Sequence, residues 1–100
     1  MKQVVWLSYD LGEDGDLTHL YSWLKGHKAE ECGNSVAFLT FEAEANDFDS
    51  FMEHLAKSIE DEVHLNESAR LYAISRKGDS IAGRFIHGAR KPNAPWSDIQ

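Results

Sequence analysis

The sequence predicts an α+β sandwich, with two amphipathic helices on one face of an antiparallel sheet. Three observations carry that expectation. Short β-prone runs recur at 4–9, 35–41, 70–76 and 80–87. Two stretches between them repeat apolar residues at helical spacing. The last two runs are separated only by Lys77-Gly78-Asp79, a hairpin signal.

Val4, Val5, Trp6 and Leu7, continuing to Tyr9, form an unbroken β-prone run suited to a strand buried on both faces. Gly12 and Gly15 mark a loop. Asp16 is a good N-cap for a helix carrying Leu17, Leu20, Tyr21 and Leu24, and Gly26 is a natural stop. "SVAFLTF" (35–41) is a strand, and the preceding "AEEC" reads as a short strand of its own, with Gly33-Asn34 as the bend. Asn46 or Asp47 caps a second helix striped by Phe48, Phe51, Met52, Leu55, Ile59 and Val63. Its other face, with Asp49, Glu53, Lys57, Glu60 and Asp61, is an ordinary solvated surface. "RLYAISR" and "SIAGRFIHG" then pair as a hairpin. The order β-α-β-β-α-β, with an additional C-terminal strand, is the split pattern of a ferredoxin-like sandwich. One domain is expected over 1–88, followed by an extended tail over 89–100 that holds both prolines.

One hundred residues, 42% hydrophobic and 27% charged, describe a globular chain rather than a disordered one. A single cysteine, Cys32, cannot form an internal disulfide, which fits a reducing compartment; as a lone thiol it reads as a small buried hydrophobe. The first residues do not read as a signal peptide, and no run approaches the roughly 20 apolar residues of a membrane span. A cytoplasmic location and no membrane partner are expected.

The net charge of −7 is unevenly divided. Residues 1–68 hold fifteen Asp/Glu against four Lys/Arg, a balance of −11, while 69–100 hold two against six, a balance of +4. Whole-chain acidity disfavours nucleic-acid phosphates, and the basic last third readmits them. In that third Arg70, Tyr72, Ile74 and Arg76 alternate onto one strand face, Arg84 and Ile86 share a face of the next strand, and Arg90, Lys91 and Trp96 follow. Arg70, Tyr72, Arg76, Arg84, Arg90 and Lys91 are therefore candidates for a surface that meets RNA or DNA, or a twin subunit.

Several of these residues carry a resemblance. Tyr9-Asp10 closes the first strand, and Asn34-Ser35-Val36 opens the middle one. Over residues 3–76 the chain resembles the small CRISPR-associated Cas-two proteins, the virulence-associated D-type toxins and the SinR-like proteins, with 80–87 as an extra strand. That resemblance implies a ferredoxin-like homodimer, nucleic-acid-associated or acting as a toxin–antitoxin-type module, in which the first-strand aspartate meets its counterpart and holds a divalent metal. By position that residue is Asp10, as catalytic residue and metal ligand of a ribonuclease using Mg2+. The resemblance implies no other cofactor.

The residues leave alternatives open. Asp10 serves equally well as an Asx turn on the Leu11–Gly12 amides. Glu13, Asp14 and Asp16 are explained by starting a helix, and their spacing is not that of an EF-hand. The five histidines show no metal-binding pair, although His19 lies nearest the acidic loop and is a possible general base. Ser8 and Ser35 become nucleophiles only with a base beside them. The competing function is a non-catalytic homodimeric interaction module. A small-ligand sensor, with a pocket lined by Trp6, Trp23 or Phe38, is the remoter one.

Overall fold

A computed structural model describes all residues, Met1–Gln100. The elements are β1 (Lys2–Asp10), α1 (Leu17–Gly26), β2 (Glu30–Glu31), β3 (Val36–Glu42), α2 (Phe48–Glu60), β4 (Arg70–Lys77) and β5 (Ser80–His87). The strands make one antiparallel sheet in the order β2-β3-β1-β4-β5. No helix is long and apolar enough to cross a membrane.

Alternation along the strands sends one set of side chains to the helices. Val5 and Leu7 of β1, Ala37, Leu39 and Phe41 of β3, and Leu71 and Ala73 of β4 are buried there. Against them α1 lays Leu20, Trp23 and Leu24, and α2 lays Phe48, Phe51, Met52, Leu55 and Ile59. Phe41 sits between the helices, its ring centroid 6.2 Å from Trp23 and 5.7 Å from Phe51. Trp23 Nε1 donates to Ser58 Oγ at 3.0 Å, tying α1 to α2. Both helices begin as expected. Asp47 Oδ1 accepts the Ser50 amide at 2.8 Å, and Asp16 accepts the His19 amide with one oxygen and the His64 amide with the other. Asp16 therefore also pins α1 to the loop before β4.

Four expectations are corrected. β1 is buried on one face only, because both helices lie on the Val5/Leu7 side and leave Val4 and Trp6 more than a third exposed. β3 begins at Val36 rather than Ser35, whose φ of 64° belongs to the bend. Gly26 does not end α1 by a left-handed turn. Lys28 takes that conformation (φ 56°) while Ala29 N donates to Leu24 O at 3.0 Å. Cys32 is exposed, because it lies in the bend between β2 and β3 rather than under a helix.

Candidate functional site

The even-numbered residues of β1 and their cross-strand partners form the sheet's other face, which no helix covers. Register lays them out in rows. Lys2 opposes Glu42 at one end. Next come Thr40, Val4, Arg76 and Ile81, then Phe38, Trp6, Ile74 and Gly83. Val36, Ser8, Tyr72 and Phe85 form the fourth row, and Asp10 opposes Arg70 at the far end. Edge-to-face ring pairs cross the strands, Trp6 with Phe38 at 5.1 Å and Tyr72 with Phe85 at 4.8 Å.

The Asp10 end of this face is the candidate site. Ser8, Asp10, Arg70, Tyr72, Phe85 and Arg90 line a pocket of about 350 Å³ there. Two glycines shape it. A Cβ on Gly83 would come within 2.6 Å of the Tyr72 ring, so the missing side chain lets that ring lie over β5. Gly88 has φ +76°, and a Cβ there would meet the Ala69 carbonyl oxygen at 2.5 Å. This close approach carries the chain back beside Arg70. Arg90 follows two residues later and sets its guanidinium 5.6 Å from the centre of the Phe85 ring. Lys91 lines the adjoining hollow, on the other side of Asp10, Arg70 and Arg90.

Asp10 is engaged on both oxygens. Oδ1 accepts the Gly12 amide at 3.2 Å, forming an Asx turn, and Oδ2 lies 3.7 Å from an Arg70 nitrogen. A hard divalent cation needs several oxygen ligands. Within one chain this position offers a single carboxylate beside two guanidinium groups, and no group of three or more His, Cys, Asp or Glu side chains that could hold a metal gathers anywhere. Alone, the lining of one chain gives a hard divalent cation a single carboxylate.

The structure divides the basic residues that the sequence grouped. Arg70, Tyr72 and Arg90 share the pocket, with Lys91 next to it. Arg76 lies on the same face six residues along β4, about 20 Å away, where its Nε donates to the Gly78 carbonyl oxygen at 2.9 Å. Arg84 is on the opposite face. Its partner in the hairpin is Ala73, which points into the core, and its guanidinium reaches Asp49 of α2 at 3.3 Å. The register therefore puts Phe85, not Arg84, beside Tyr72. Sequence reasoning passed over Phe85, although its alternation with Arg84 along the returning strand was a usable signal.

Other candidate residues lie elsewhere. His19 holds its Nδ1 2.8 Å from Asp16, at the start of α1. The two backbone amides and the imidazole of His19 hold the Asp16 carboxyl below its usual range, with the His64 amide contributing most. Tyr9, on the helix side, has its hydroxyl pKa raised by burial and by neighbouring Tyr21. Comparison of the chain with protein-family models, curated proteins and solved structures finds no match.

Proposed function

We propose that the protein is a non-catalytic homodimeric interaction module, a ferredoxin-like sandwich of the Cas-two/SinR-like kind that self-associates through its open sheet face. The strand order β2-β3-β1-β4, with β5 added at the edge, supports the ferredoxin-like reading. One observation carries the functional reading. β1 is a continuous apolar run suited to burial on both faces, yet the chain covers only one of them. The middle of the bare face is apolar at Val4, Trp6, Phe38 and Ile74, and Ile81, 69% exposed, continues it onto the edge strand beyond Arg76. Each end carries both signs of charge, Lys2 with Glu42 and Asp10 with Arg70. Such a face complements itself about a two-fold axis in either direction, with an apolar centre and a polar rim.

The ties of Asp10 to Gly12 and Arg70 favour the non-catalytic form over a metal-dependent ribonuclease. A second reading, contact with RNA or DNA, is favoured by the convergence of Arg70 and Arg90 beside Tyr72 and Phe85.

Sedimentation across a concentration series tests the proposal. Wild type is expected at twice the 11.3 kDa chain mass, and Ile81→Glu at the mass of one chain with an unchanged circular dichroism spectrum. A wild type that stays monomeric at high concentration overturns it. Binding of single-stranded RNA that falls steeply with salt would favour the second reading.

A further inference from the structure

Most of the open face is apolar, but its Asp10 end is built differently. The pocket there combines two guanidinium groups with two aromatic rings in a volume of about 350 Å³, at the small end of ligand cavities. Its parts are positioned rather than merely near one another. Arg70 is partly buried, with its side chain 30% exposed, and faces the Asp10 carboxylate at 3.7 Å. Arg90 is delivered by the Gly88 turn and braced on Phe85. Tyr72 meets Phe85 edge-to-face and lies over the space that Gly83 leaves free. Around the pocket and its adjoining hollow, Arg70, Arg90 and Lys91 outnumber Asp10 and Glu67. In a chain of net charge −7 this end is locally positive.

These features answer to one ligand chemistry. Paired arginines present planar forks that match phosphate oxygens. The Tyr72 ring beside them accepts a flat heterocycle by stacking. The Ser8 and Tyr72 side chains add hydroxyl groups to the lining. We propose that this pocket binds a phosphorylated nucleoside, its base on the Tyr72 ring and its phosphomonoester on Arg70 and Arg90. A phosphomonoester carries about 1.5 to 2 negative charges at neutral pH, so it draws on both arginines, whereas an uncharged nucleoside draws on neither. The pocket lies at the polar end of the face proposed to self-associate, so binding is measured on the Ile81→Glu chain as well as on wild type, which separates failure of one reading from failure of the other. Ile81 and Val4 lie in the row of Arg76, about 20 Å along the sheet from Arg70.

Titration of the full chain with adenosine 5′-monophosphate, adenosine and inorganic phosphate, followed by calorimetry, tests the assignment. The monophosphate should bind at least about tenfold more tightly than either fragment, because each alone uses only half of the site. Arg90→Ala, in the exposed tail, should weaken the monophosphate by about tenfold or more. Phe85→Leu, which keeps an apolar side chain but removes the ring that braces Arg90, should weaken it as well. Lys77→Ala, a cation remote from the pocket, serves as the control and should leave binding unchanged. A 5′-phosphorylated hexanucleotide compared with its 5′-hydroxyl form separates the two sources of such a group. Preference for the phosphorylated strand over the free mononucleotide makes the ligand a strand end, and the reverse makes it a free nucleotide. Equal binding of adenosine and its monophosphate overturns the proposal. So does inorganic phosphate binding as tightly as the nucleotide, an Arg90→Ala variant with unchanged affinity, or no saturation below about 10 mM.

Discussion

The two faces of the sheet are made by alternate residues of the same strands, and they have different physical tasks. On the helix side Val5, Leu7, Leu39, Phe41, Leu71 and Ala73 are buried, and the only buried polar residue is Ser75, whose hydroxyl donates to the Val4 carbonyl oxygen at 2.6 Å. That face holds the molecule together. On the other side Trp6 and Val4 remain more than a third exposed, and charged residues appear at both ends. A strand such as β1 carries both patterns at once. The contrast teaches that folding uses one face in full and leaves the other largely uncovered.

Removing a ring from the covered face should cost most. Phe51 is fully buried and packs against Phe41, so Phe51→Ala should lower stability in urea by about 3–5 kcal/mol. A loss below about 1 kcal/mol would mean that the helices are not the principal cover of the sheet. Next comes the hinge that shapes the open face. Gly88→Ala places a Cβ against the Ala69 carbonyl oxygen in a left-handed backbone, and should cost about 1–3 kcal/mol. It should also shift the amide resonances of Arg70 and Arg90 while leaving those of the α1 and α2 core in place. Unchanged Arg90 resonances would show that Gly88 does not steer the tail.

The smallest effect concerns Asp16, at the edge of the covered face. Its pKa is lowered in the folded state, chiefly by the His64 amide. The stability it contributes is therefore fully present above its unfolded pKa, about 3.9, and is lost as pH falls through the depressed folded value. Asp16→Asn should melt a few degrees below wild type at pH 7, and the two melting curves should converge in strong acid. A gap that persists in acid would show that the carboxylate charge is not what matters.

Much of this division was legible locally. The two helical stripes, the caps at Asp16 and Asp47, and the Lys77–Ser80 hairpin follow from periodicity and turn chemistry within a few residues. Asp10 also stood out as a strand-end carboxylate. Its partner did not, since Arg70 reaches it only through the β1–β4 register, sixty positions away in the chain. The same limit misplaced Arg84, because the face a residue joins depends on the register in which its strand pairs.

The sequence by itself determined the elements, their order and the apolar stripes that drive them together, since each depends on spacing along a single segment. Tertiary structure alone decided which face of the sheet stays bare, and that Asp10, Arg70 and Arg90 meet there. Those outcomes depend on where the helices land, on strand register and on one close backbone approach at Gly88, and all three are settled by packing between distant segments.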